Sequence, residues 1–437
     1  MNAKFAFLSL LPLLLMALFS TQVALANDSA NLLARKAVSE NSAEASAAIE
    51  ELRELGPDGL EILLTRHAAE IDRHIANPKL SDTPEWQRIT RALDQVGQQK
   101  NNFISGLYWY TDLDDARKAA RESNKPILSL RLLGNLTDEL SCANSRFFRT
   151  VLYPNTQIRN TLSERFVLHW KSVRPAPRIT IDFGDGRKLE STVTGNSIHY
   201  ILDSNGQLIE AIPGLYGAVA FQRSLADAET LFKSLAGKNK EERNIILTKY
   251  YRDRANKISL AWFNDTKTIG GKVPDRMFAI KTENGEALSV APLAVTKSLG
   301  EIPALRALHA ASEMLGRITD EYAWKQIAML HQPDWFLDER SVRLIERQNR
   351  SLPPDELGRL VHKFFDLVGL DTVRNEYALR PQLYNWMVRE GSRANLEQFN
   401  DHVYAELFRT PKSDPWLGLF STDVYSAIEN GGVVKPK

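Results

Sequence analysis

The distribution of apolar positions sets the first divisions of this chain. An apolar run from Phe5 to Phe19 follows Lys4, the only charged side chain before Asp28, and gives way to Ser20-Thr21-Gln22. A basic start, a short apolar core and the small residues of Ala24-Leu25-Ala26 form the layout of a cleavable signal peptide. Residues 1–26 are therefore expected to be removed before Asn27. The run falls short of the roughly 20 residues that span a bilayer, which argues against an uncleaved anchor. No later stretch is apolar enough to cross. The expectation is a periplasmic or secreted protein with no membrane insertion after cleavage.

Residues 27–100 read as a helical N-terminal segment. Ala45, Ile49, Leu52 and Leu55 recur on one stripe, Gly56-Pro57-Asp58-Gly59 is expected to break the helix, and a second helix runs from Leu60 to about Ile71. The pair is read either as one HEAT-type helical hairpin or as a helical cap on the next domain. Another helix is expected over Glu85 to Lys100.

Residues 101–237 change to alternating helix and strand. Asp112 to Asn124 is helical with Thr111 as N-cap, and Lys125-Pro126 stops it. Ile127 to Leu133, apolar except for Ser129 and Arg131, has the length of a buried strand. A polar loop leads to a helix over Cys142 to Tyr153, a short helix over Asn155 to Glu164, and a strand over Arg165 to Val173. Gly184-Asp185-Gly186 joins Ile179–Phe183 to Arg187–Ser191 as a hairpin. Ser204-Asn205-Gly206 joins Ile198–Asp203 to Gln207–Ile212 as a second one. Phe221 to Leu235 closes the domain. Residues 241–437 are expected to form a mainly α-helical C-terminal domain, with a stripe at Leu357, Leu360, Val361, Phe364 and Val368 behind Pro353-Pro354-Asp355. The aromatic tail Asp414 to Phe420 is read as docking on a neighbouring domain rather than binding a peptide.

Composition narrows the function classes. Lys and Arg number 55 against 54 Asp and Glu, and loss of Lys4 with the leader balances them. A basic footprint for nucleic acid is missing, so no nucleic-acid partner is expected. Cys142 is the only cysteine, so no internal disulfide can form. Neither a nucleotide fingerprint, nor a ligand-spaced metal cluster, nor a serine nucleophile elbow occurs, and no cofactor or metal is expected.

The order of helix, buried strand, polar loop, cysteine-led helix, strand, hairpin and closing helix resembles the thioredoxin fold. Cys142-Ala143-Asn144-Ser145 after Ile127–Leu133 is similar to that family's Cys-x-x-Cys helix start, with serine at the second cysteine. Phe166-Val167-Leu168-His169-Trp170 resembles its central strand. Ile198 to Gly206 with Pro213-Gly214 resembles its closing hairpin. The predicted fold class is therefore α/β, a thioredoxin-like central domain between helical flanks. The resemblance implies Cys142 and Ser145 as catalytic positions and Ser197 and Ile198 as substrate-binding positions. Ser197 stands where the family places a cis-proline, and the extra hairpin within Arg174–Gly195 lengthens the usual connection.

Two functional readings stay open. A cysteine at a helix N-terminus faces unpaired N–H groups and the positive end of the dipole, which favours the thiolate. Cys142 then forms mixed disulfides with a protein or small-thiol partner, in thiol-disulfide exchange or redox sensing, and Ser145 donates to the sulfur without resolving the bond. In the alternative, Cys142 is a buried small side chain in a non-enzymatic protein-binding scaffold. His169 and His199 on candidate strands could approach Cys142. Arg146 and Arg149, one turn apart, are read as a solvated helix face.

Overall fold

The computed structural model describes residues 29–271, 315–316, 319–390, 395–417 and 427–434. The expected signal segment lies outside them, as do Gly418, Leu419 and Phe420 of the aromatic tail. Within that tail Trp416 is exposed and Leu417 buried. The chain divides into two compact units, one ending at Tyr108 and one starting at Trp109.

The first unit is helical: α1 (29–37), α2 (Ser42–Glu54), α3 (Pro57–Arg66), α4 (Ala68–Ala76), α5 (Pro84–Gly97) and the one-turn α6 (Asn102–Ser105). The expected four-residue break is smaller than predicted. Only Gly56, at φ +67°, leaves helical geometry; Pro57 opens α3, and Gly59 packs inside it where a Cβ would lie 1.9 Å from Leu52 O. Proline has no N–H to lose at a first helical position, which is why the signal reads as a start rather than a stop. His67 then separates α3 from α4, splitting the single helix expected to end near Ile71.

The second unit is mixed α/β, a small sheet flanked by helices. Its first helix α7 (Leu113–Ser123) is capped by Asp112, whose carboxylate accepts from the N–H groups of Asp114 and Asp115, not by Thr111 as expected. One carboxylate oxygen reaches both free amides. Strand β1 (Ile127–Leu133) is wholly buried. Helix α8 (Ala143–Phe147), a π-turn over Phe148–Leu152, helix α9 (Thr156–Arg165) and strand β2 (Val167–Arg174) follow. After the hairpin of β3 (Arg178–Asp182) and β4 (Lys188–Thr192) come β5 (Ser197–Leu202), β6 (Leu208–Pro213) and α10 (Ala218–Ser234). The sheet order is β2-β1-β5-β6, with β1 parallel to β2 and antiparallel to β5, and β5 antiparallel to β6. The β3–β4 hairpin is a separate two-stranded sheet.

Both faces of the sheet are covered, so β1 and β5 are buried on both sides along their whole length. His199 of β5 packs against Phe148 and against Phe221 of α10. On the other face, Tyr200 meets Phe399 and hydrogen-bonds Asn400, and buried Arg131 of β1 donates to Glu397. These partners belong to the C-terminal helix Leu396–His402. Arg131 interrupts an apolar strand because a carboxylate reaches it there; a buried guanidinium is tolerated only when paired.

The edge strand β6 is tied down by charge. Glu210, fully buried, accepts from Tyr250 of α11 (Lys240–Thr268) at 2.8 Å and from Tyr384 at 3.0 Å, with Arg380 Nη2 at 3.5 Å. Arg380 in turn donates to Glu376 and Ser224. The helical stripe led by Pro354 is only partly used: Val368 is buried, but Leu360 is exposed.

Candidate functional site

Cys142 caps the N-terminus of α8, directly after the loop that leaves β1. Its N–H donates to Leu133 O at 3.0 Å, and Ala143 N–H donates to Thr194 O at 2.9 Å, so the turn is held by the strand before it and by the segment leading into β5. The sulfur lies 3.0 Å from Ser197 Oγ and 3.7 Å from Asn196 O. Gly214 N–H donates to Ser197 O at 2.8 Å, which fixes Ser197 against the end of β6. The structure thus brings Cys142 and Ser197 together. Ile198, next on β5, is fully buried and pairs with Arg131 and Pro213.

Ser145 is one helical turn on and equally buried, but it does not reach the sulfur. Its hydroxyl is 2.8 Å from the Cys142 carbonyl oxygen and 2.7 Å from Ser141 Oγ. A serine three residues into a helix bonds the free carbonyl behind it more readily than a sulfur on the cap. The expected donation from Ser145 to the thiol is therefore not made.

Cys142 has no exposed surface, and neither do Ser141, Ser145 and Ser197. The cover comes from the far end of the chain. Tyr404 OH donates to Asn196 O at 3.2 Å, while Asn196 Nδ2 donates to Phe408 O and Thr410 Oγ1. Arg174 at the end of β2 donates to Pro411 O and Thr410 O. Burial, and next the neighbouring Cys142 sulfur, push the Tyr404 hydroxyl well above its ordinary pKa. The β3–β4 strands are exposed and do not form this cover; only the hairpin's legs, at Thr192 and Thr194, touch the cysteine turn.

Three further expectations change. Arg149 is buried, donating to Asp138 O and Ser141 Oγ, because the loop after β1 folds back over the helix. It is not part of a solvated face. Neither strand histidine bonds Cys142: His169 Nδ1 is 2.9 Å from Ser129 Oγ, and His199 Nε2 is 2.9 Å from Tyr153 OH. Burial pushes both imidazoles down to about 3, Arg131 and Lys171 adding to the effect at His169.

One constellation escaped the sequence reading. His331 Nε2 lies 2.6 Å from Asp265 Oδ2, to which Tyr377 OH also donates, and Asp334 beside it is clamped by both Arg223 Nη atoms at 2.5 Å. Only the one-turn spacing of His331 and Asp334 hinted at it. The Asp265 hydrogen bond raises the His331 pKa above its ordinary value. A raised folded-state pKa adds stability that is fully present below about 6.5 and lost as pH rises through the folded value. His331→Gln should accordingly flatten the fall in melting temperature expected on going from pH 6 to pH 9. An unchanged fall would mean that another group titrates.

Among the described residues no cluster of three His, Cys, Asp or Glu side chains could hold a metal. A cleft of about 580 Å³ lined by Arg53, Glu54, Gln95 and Gln98 belongs to the N-terminal unit, not to the Cys142 site. Comparison with protein-family models, with curated proteins and with solved structures gave no match.

Proposed function

We propose that residues 109–237 form a thioredoxin-like domain and that the exported chain is an extracytoplasmic protein-binding scaffold whose thiol site is closed. The fold reading is supported by the sheet order β2-β1-β5-β6 with its one parallel pair, by a cysteine-led helix after the inner strand β1, and by Ser197 meeting Cys142 at 3.0 Å. The observation that carries the functional reading is the complete burial of Cys142 under Tyr404 and Asn196. Thiol-disulfide exchange needs the attacking sulfur to approach a partner disulfide in line, so a thiol without accessible surface cannot exchange in this conformation. Ser145 offers no resolving sulfur.

Iodoacetamide tests this. Cys142 in the native protein should remain unmodified over times in which the denatured chain is alkylated to completion, and insulin reduction with dithiothreitol should not be accelerated. Native alkylation at the denatured rate would return the mixed-disulfide reading to first place. That second reading has one observation in its favour: Cys142 faces Ser197, the position the resemblance assigns to substrate holding.

A further inference from the structure

The β3–β4 hairpin stands apart from the main sheet and exposes Ile181 (42%), Phe183 (55%) and Leu189 (49%). Isolated two-stranded ribbons are marginal in water, and natural edge strands are normally blunted by bulges, prolines or cover. β3 has neither bulge nor proline along Arg178–Asp182, and no strand or helix covers its outer edge among the described residues.

Its backbone has a defined polarity. Phe183 N–H donates to Arg187 O and Val193 N–H to Pro177 O, and the ladder between these ends pairs Ile179 with Ser191 and Ile181 with Leu189. Odd-numbered residues therefore point their N–H and C=O groups toward β4, and Arg178, Thr180 and Asp182 point theirs outward. Those outward groups have no backbone partner among the described residues.

The strand reads Arg178-Ile179-Thr180-Ile181-Asp182, a palindrome in polarity with opposite charges at its ends. We propose that β3 is a self-association edge whose occupant is a second copy of this chain, joined by a two-fold axis through Thr180. Antiparallel pairing about that axis sets Thr180 against the partner's Thr180 as a hydrogen-bonded pair. It sets Arg178 against the partner's Asp182, and Asp182 against the partner's Arg178. Ile179 meets the partner's Ile181 at the closer, non-hydrogen-bonded positions, where side chains pack best. Each outward N–H and C=O of the three residues finds a partner, and both charge pairs are attractive. A one-residue slip would turn inward-facing amides to the contact and place Arg178 opposite an isoleucine or a phenylalanine; the two-fold register does neither. The interaction is isologous, so it closes at a dimer. Arg178 makes no ion pair within its own chain among the described residues, whereas Asp182 has Lys188 at 3.4 Å and accepts from Gly184 N–H.

A single strand pair buries less than a standard interface, so association should be weak and visible by sedimentation velocity of the purified chain between about 10 μM and about 1 mM. Thr180→Pro removes the central outward amide without touching the β3–β4 ladder, and should weaken dimerisation at least about tenfold. Arg178→Asp and Asp182→Arg should each weaken it by setting like charges opposite one another. An equimolar mixture of those two variants should regain it, because the aspartate introduced into one chain type then faces the arginine introduced into the other. The double variant Arg178→Asp/Asp182→Arg should dimerise like the parent. A chain that stays monomeric across the range, a dimer indifferent to Thr180→Pro, or a mixture no better than its components would each overturn the proposal.

Discussion

Acidification between about pH 5.5 and about pH 4 should reduce the stability of the second unit by about 2.7 kcal/mol per pH unit on account of two histidines alone. His169 and His199 are held neutral by burial, each with a folded-state value of about 3, whereas an unfolded histidine titrates near 6.5. Across that interval the unfolded chain binds two protons that the folded chain refuses. Each such proton contributes about 1.4 kcal/mol per pH unit. The sign follows from a lowered folded-state value: the stability is present above about 6.5 and is lost as pH falls toward 3. His331 acts above 6.5 and does not compensate. Carboxylates with lowered values, such as Glu376, add their own losses at lower pH, so the histidine share is isolated by difference. His199→Gln keeps a polar partner for Tyr153 OH and removes the titration. Urea unfolding at pH 6 and pH 4.5 should show the variant losing about 1.4 kcal/mol per pH unit less than the parent. Equal slopes in the two proteins would mean that His199 is already charged in the folded state.

Those two histidines show where sequence reasoning stops. Ile127–Leu133 was legible as a strand because a mostly apolar run of that length between Pro126 and a polar loop has few other uses, and the two hairpins were legible because the turn chemistry of Gly184-Asp185-Gly186 and Ser204-Asn205-Gly206 is local. The same local signals placed Cys142 at a helix start. What the strand histidines touch was not legible, since Ser129 and Tyr153 lie 40 and 46 residues away along the chain. Arg131 is the same kind of case: in sequence it is a flaw in a strand, and only Glu397, 266 residues later, explains it.

The candidate site divides in the same way. The pairing of Cys142 with Ser197 follows from strand order, and the resemblance carried it. The closure of the site depends on Tyr404, Phe408 and Thr410, and nothing local to Cys142 announces them. A reading that assigned residues 241–437 to a separate helical domain had no reason to lay part of it across the sheet. Ser145 and Arg149 were misjudged at shorter range, because their partners come from the loop before the helix, which folds back over it.

If the C-terminal segment is what shields the thiol, loosening it should expose Cys142 without unfolding the domain. Tyr404 is the residue to remove, being fully buried, hydrogen-bonded to the Asn196 carbonyl that also lies against the sulfur, and packed edge-on against Phe408. Truncating a buried aromatic to alanine typically costs about 3 to 5 kcal/mol. When that loss falls on a local opening, every 1.4 kcal/mol multiplies the open population tenfold. The lower end of the range therefore predicts that Tyr404→Ala raises the native alkylation rate of Cys142 by about a hundredfold. Tyr404→Phe, which gives up only the hydrogen bond to Asn196 O, should raise it by no more than about tenfold. Far-ultraviolet circular dichroism and the urea midpoint distinguish local from global loosening, since a globally destabilised variant would show reactivity tracking its unfolding curve. A folded Tyr404→Ala protein whose thiol stays as unreactive as the parent's would show that the shield lies elsewhere, in the legs of the β3–β4 hairpin or in the loop that carries Ser141.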